Sequence, residues 1–195
     1  MERFGECTRR TGETDIRCGF LIDGSGEAQL KTGIGFFDHM LNLLARHGLF
    51  DINIACRGDL DVDGHHTVED VGLALGAAIK NALGDKAGIQ RFGTFFVPMD
   101  EALAQVSLDI SGRPFLVFDA AFVGQSCGLF DVQLTEEFFR ALAMEAGLTL
   151  HMKVLAGKND HHMIEALFKA FARALDMATR MDGRFEGIPS TKGVL

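Results

Sequence analysis

The feature that most constrains this chain is an order of elements that occurs twice. A helical segment ends at Gly48, an alternating strand follows, and an acidic loop leads to Gly64-His-His-Thr-Val-Glu69 at the mouth of another helix. The same order returns around Gly147 and ends in Asp160-His-His-Met-Ile-Glu165. One copy of so short a motif says little, but two copies at matched places mark an internal duplication. The chain reads as one domain, 1–195, with repeat one over about 9–92, repeat two over about 93–187 and a tail at 188–195.

Local periodicity fills in the elements. Segment 14–22 alternates, with Ile16, Cys18, Phe20 and Ile22 on one face. A turn at Gly24-Ser-Gly26 and a short strand at 27–32 would complete a hairpin. Phe36, Phe37, Met40, Leu41 and Leu44 form a helical stripe over 36–47, stopped by Gly48, and strand 49–57 follows. The next helix buries Val68, Val71, Leu75 and Ile79 and closes at Gly84. In the second half, strands are expected at 93–98, 101–110 and 113–123. A helix then runs from an N-cap at Thr135 to Ala146 and stops at Gly147. Strand 148–155 and a helix over 162–180 complete the repeat. The class is α+β, with two sheets backed by helices. Apolar residues at 47 %, among them 17 Phe, suffice to bury such an interior.

Charge removes several function classes. The formal net charge is −8, without the basic footprint that nucleic acid requires. No run approaches the 18 apolar residues of a membrane span, and the charged start, Met1-Glu-Arg-Phe-Gly-Glu-Cys7, is unlike a signal peptide. A cytoplasmic protein is expected, with Cys7, Cys18, Cys56 and Cys127 as reduced thiols.

Chemistry concentrates in the duplicated motif. Residues four apart share a helix face, so His65 points with Glu69, and His161 with Glu165. His66 and His162 are each rotated by roughly 100° and must serve something else. Two ions would then each draw a His/Glu pair from one repeat and a lone His from the other. His39, on the polar side of its helix, and His151, on the outward face of its strand, bring the supply to six His and two Glu. Imidazole and carboxylate without thiolate suit Mn²⁺, Fe²⁺ or Zn²⁺. Lys169 lies one turn past Glu165, where it pairs with that carboxylate or faces an anionic substrate. His47 sits at a helix end, as a cap on the dipole or as a substrate contact. Arg91, Arg113, Ser190 and Lys192 together could clamp a phosphate.

Several stretches resemble the imidazoleglycerol-phosphate dehydratases of histidine biosynthesis. They are Gly35-Phe-Phe-Asp-His-Met-Leu41, Ala45-Arg-His-Gly-Leu-Phe-Asp51, Gly64-His-His-Thr-Val-Glu-Asp70, Met99-Asp-Glu-Ala-Leu103, Ser111-Gly-Arg-Pro114, Asp160-His-His-Met-Ile-Glu165 and Pro189-Ser-Thr-Lys-Gly-Val-Leu195. The resemblance implies two related halves, each a four-stranded sheet packed on two helices. It implies conversion of imidazole glycerol phosphate to imidazole acetol phosphate with two Mn²⁺ per active site. It also implies trimers assembling into an octahedral particle of about two dozen chains, with sites between subunits. Carried over by motif, the metal ligands are His39, His65, His66, Glu69, His151, His161, His162 and Glu165. Glu13 is the acid–base carboxylate, Lys169 touches the substrate, and Arg91, Arg113, Ser190 and Lys192 take the phosphate. Leu43 stands where the family often has glutamine.

The implied chemistry needs such a site. The glycerol chain has no carbonyl beside the carbon that loses its proton, so no enolate can form. Metal coordination would stabilise an imidazolate whose electrons expel the hydroxyl through a diazafulvene-like intermediate, and a carboxylate such as Glu13 could then take the carbon-bound proton. Two other readings stay open from the residues alone. A two-metal phosphoester hydrolase would lean on Asp-rich ligands, and a metal-storage shell would leave the Arg91/Arg113/Lys192 group without a purpose.

Overall fold

The computed structural model describes residues 2–184, 187–193 and 195; position 194 of the tail motif lies outside the described residues. The first half runs β1 (Phe4–Arg10), β2 (Thr14–Leu21), β3 (Ala28–Lys31), α1 (Gly35–Gly48), β4 (Asp51–Gly58) and α2 (His65–Leu83). The second runs β5 (Phe92–Met99), β6 (Ala102–Asp109), β7 (Phe115–Asp119), a two-strand excursion of β8 (Ser126–Cys127) and β9 (Phe130–Asp131), α3 (Leu134–Ala146), β10 (Thr149–Ala156) and α4 (Asp160–Thr179). The two main sheets have the same order, β1-β2-β4-β3 and β5-β6-β10-β7. Among the described residues no helix is long and apolar enough to cross a membrane.

Alternation puts Ile16, Cys18 and Phe20 of β2 and Ile52 and Ile54 of β4 on the buried face of the first sheet. Ala104, Val106, Leu150 and Met152 do the same in the second. Each sheet turns this face to its own two helices, and the helices of the two halves meet between the sheets: α1 packs on α4, and α2 on α3. Phe138 of α3 stands edge-on to Phe37 of α1 at 5.2 Å and stacks on Phe168 of α4 at 5.4 Å, so one aromatic cluster joins both halves. Each such ring contributes about 1.5–3 kcal/mol by burial. Glycine permits the closest contacts. A Cβ on Gly5 of β1 would lie 2.1 Å from Ala78 O of α2, and one on Gly93 of β5 would lie 1.9 Å from Ala174 O of α4.

Several expectations are corrected. Segment 28–31 forms no hairpin with β2; β4 inserts between them and pairs with β3 in parallel. The cause is Asp51, whose Oδ1 accepts from the amides of Ser25, Gly26 and Glu27 at 2.8–3.0 Å and so ties the turn to the start of β4. The left-handed residue ending α1 is Leu49 (φ 59°), not Gly48; a Cβ on Gly48 would meet the Phe50 ring at 2.3 Å. Thr135 is not a cap. It lies inside the first turn of α3, after Gln133, with its hydroxyl buried and unbonded among the described residues. Strand 113–123 is cut to β7, and α4 starts two residues early because Asn159 caps it, accepting from His162 N.

Candidate metal centre

The packing of α1 on α4 brings His39 to the motif of the second half. His39 Nε2 is 3.5 Å from Glu165 Oε1, and His161 Nε2 is 4.0 Å from Glu165 Oε2. Donor atoms of these three residues all lie within 4.8 Å of one another. The imidazoles are half exposed, whereas the Glu165 side chain is only 7 % exposed. Phe36 stands edge-on to His161 at 5.0 Å and limits its ring. Lys169 Nζ, one turn along α4, is 3.4 Å from Glu165 Oε1. Two imidazoles around a buried carboxylate form a donor set that fits a borderline divalent cation.

The contact of α2 on α3 is the equivalent place in the other half. His65 Nε2 and Glu69 Oε2 are 3.9 Å apart at the mouth of α2. His65 shares a cavity of about 470 Å³ with Asp63, Leu134 and Glu137. Glu137 was not among the ligands expected from sequence. The left-handed residues Leu49 and Gly147 end α1 and α3 with the same bond, donating to Ala45 O and Ala143 O. Counting back ten residues from each reaches His39 and Glu137, so Glu137 is the structural counterpart of His39. Alignment of the two helix ends was the signal that could have found it.

The second histidines point away from both groups. His66 Nδ1 bonds Asp59 at 2.9 Å, and its Nε2 is 3.7 Å from Glu13 Oε1. His162 Nδ1 bonds Glu101 at 2.7 Å, and its Nε2 is 3.7 Å from Asp100 Oδ2. These carboxylates raise both histidines above the usual imidazole range, and the His162 hydrogen bond helps hold Glu101 down to about 2. Glu13 rides on the exposed turn between β1 and β2. Thr11 Oγ1 accepts from the Glu13 and Thr14 amides there, and Thr14 Oγ1 and Arg9 both bond the buried Asp70 of α2.

The expected phosphate residues gather at the other end of α4. Arg91, in the left-handed region at φ 72°, donates its backbone N–H to Ala178 O. Its side chain donates twice to Asp109, at 2.6 and 3.0 Å, and once to Pro189 O at 2.8 Å. Arg113 is largely exposed, 3.8 Å from Asp109, while Lys192 is exposed and its amide donates to Ser190 Oγ. Ala178 lies thirteen residues beyond Glu165 on α4, about 20 Å at 1.5 Å per residue. His47, at the end of α1, has its imidazole lowered below the usual range, first by burial and then by the Lys169 and Arg173 charges.

A family model for imidazoleglycerol-phosphate dehydratase matches residues 32–175. The enzyme of that name from Acetivibrio thermocellus is 61 % identical over 195 residues, covering all of both chains. The one from Clostridium botulinum is 59 % identical over 194 residues, covering 100 % of this chain and 99 % of its own. The chain belongs to the imidazoleglycerol-phosphate dehydratase family. It is accordingly a hydro-lyase. The crystal structure of the Staphylococcus aureus dehydratase superposes with a TM-score of 0.83 at 40 % identity, covering 92 % of this chain and 99 % of that one. That of the Pyrococcus furiosus enzyme in complex with (S)-C348 gives 0.84 at 38 %, covering 97 % and 100 %.

In this dehydratase-family chain His151 joins neither histidine group. It projects from the solvent side of β10, between Ser107 and Val117 of the flanking strands, while its neighbours Leu150 and Met152 face the helices. The thickness of the sheet separates it from His161 and Glu165. Leu43 packs its half-buried side chain against the core.

Proposed function

We propose that the chain dehydrates imidazole glycerol phosphate to imidazole acetol phosphate in histidine biosynthesis, in the cytoplasm, with two Mn²⁺ per active site. The observation that carries this reading is the convergence of His39, His161 and Glu165 from the two halves onto one point. One ion would be held by these three residues and the other by His65, Glu69 and Glu137. His66 and His162, turned away from their own groups, would complete the coordination in neighbouring copies. His151, the ligand carried over from sequence, would have to act across a subunit boundary if it acts at all. A bound divalent cation supplies a positive centre that stabilises negative charge on the imidazole ring.

The remaining steps fall to the chain's own groups. The hydroxyl on the carbon beside the ring leaves as water with the proton that the ring nitrogen gives up, and Glu13, exposed beside His66, takes the proton from the carbon bearing the middle hydroxyl and returns it to the ring. The resulting enol gains a proton and becomes the ketone. Lys169 and His47 line the approach to Glu165. Arg113, Ser190 and Lys192 take the phosphate, with Arg91 holding the tail through Pro189 O. Along α4 roughly 20 Å separates Glu165 from Ala178, where Arg91 is anchored, more than one small substrate spans. The metal end of one copy would then meet the phosphate end of another, in keeping with the closed homo-oligomer of trimers, about 24 chains in an octahedral particle, that the family resemblance implies. The test is turnover of imidazole glycerol phosphate after chelation and after return of Mn²⁺. Ketone formation without inorganic phosphate supports the reading. Phosphate release, or full activity without metal, overturns it.

A further inference from the structure

The second histidine of each motif keeps its two ring nitrogens in different company. Nδ1 of His66 meets Asp59 at 2.9 Å, and Nδ1 of His162 meets Glu101 at 2.7 Å. Asp59 belongs to the loop before α2, whereas Glu101 belongs to the turn between β5 and β6. The two carboxylates are not repeat equivalents, so the same contact is made twice from different parts of the fold. An ionised carboxylate can only accept, so Nδ1 must donate, and a neutral ring then carries its lone pair on Nε2.

The two carboxylates come to this contact differently. Glu101 Oε1 accepts from the amides of Lys158 and Asn159 at 3.2 and 2.8 Å, which leaves Oε2 for His162. Asp59 gives Oδ2 to His66 while its Oδ1 is buried with no hydrogen bond among the described residues. In both halves Nε2 faces outward, 3.7 Å from the nearest carboxylate oxygen of Glu13 or Asp100.

The geometry points to Asp59 and Glu101 as positioning residues that lock His66 and His162 in the Nδ1–H form, so that each offers Nε2 as the ligating atom to a neighbouring copy. This rests on the metal reading above and names the residues that prepare its two outward ligands. Outer carboxylates of this kind fix the tautomer and orientation of a ligating imidazole, and their loss weakens metal binding by about 10- to 100-fold.

The test uses the full chain, labelled with ¹³C and ¹⁵N at histidine, by magic-angle-spinning NMR of the metal-free protein and by calorimetric titration with Mn²⁺. The unmodified chain should show His66 and His162 protonated on Nδ1 above pH 8. Asp59→Ala and Glu101→Ala should each lose that form at one ring and bind Mn²⁺ about 10- to 100-fold more weakly. Glu101→Gln keeps an acceptor oxygen and should return both signatures, which a general loss of folding would not allow. Unaltered Mn²⁺ affinity in both alanine variants, or Nε2–H rings in the unmodified chain, overturns this inference alone. An unmodified chain that takes up no Mn²⁺ defeats the metal reading, and this inference falls with it.

Discussion

Lys169 Nζ lies 3.4 Å from Oε1 of Glu165, and both side chains are largely withdrawn from water, at 16 % and 7 % exposed. In metal-free protein Lys169 sets a full positive charge beside this buried carboxylate. Removing it with Lys169→Met should destabilise the metal-free protein by roughly 3 kcal/mol, the scale of a broken buried pair. Mn²⁺ should restore most of the loss by supplying the missing charge. Thermal unfolding with and without Mn²⁺ checks both halves of the statement. Equal losses under the two conditions would show that Lys169 acts elsewhere.

Glu137 should matter as much as its counterpart His39. Either alanine substitution is expected to lower bound Mn²⁺ from two to one per subunit and to reduce turnover at least about 100-fold, the upper range for losing a ligand's support. Glu137→His, which copies the other half, should keep both ions. Metal content after gel filtration reads the outcome directly. Two ions retained in Glu137→Ala would remove Glu137 from the centre.

Asp51 makes the fold sensitive to acid at the turn before β3. Its carboxyl is held below the usual carboxylate value, first by the Glu27 amide and then by those of Ser25 and Gly26. A lowered folded pKa gives stability that is present above the unfolded value, near 3.9, and lost as pH falls through the folded one. Asp51→Asn should therefore cost about 1.5–3 kcal/mol near neutrality, the scale of charged hydrogen bonds, and much less at pH 2. Urea unfolding at the two pH values measures this. A cost independent of pH would mean that the turn depends on shape rather than charge.

Subunit mixing tests the separation along α4. Glu165→Gln and Arg113→Ala/Lys192→Ala should each be nearly inactive, one failing at the metals and the other at the phosphate. Dissociating the two, mixing them and reassembling should recover about a quarter of full activity if each site takes one end from each of two chains. No recovery beyond the sum of the parents would place the whole site within one subunit.

Much of this architecture could be read locally. The inward faces of β2, β4, β6 and β10 and the four helices follow from periods of 2 and 3.6, which need no knowledge of distant partners. The partner of β3 could not be read this way, because it depends on Asp51 collecting amides some 25 residues back in the chain. Strand β1 escaped notice because Phe4 is exposed and Gly5 buried, inverting the usual pattern so that the chain can lie against Ala78. Within the site, the i,i+4 pairs were visible because a helix forces them together. Glu137 was hidden because its half carries no histidine at that place; Arg91 was visible as a cation, but not the Asp109 carboxylate that already engages its guanidinium.

The pairing of α1 with α4 has a consequence for assembly of the fold itself. His39 belongs to one half and Glu165 to the other, so neither half, however well formed, offers the ion its set of donors. On the proposed metal reading, binding energy would be released only once the halves have docked, and excess cation would pull the population toward that docked form by mass action. The ion would then act as a late fastener, blind to the separate parts and tight only on their union.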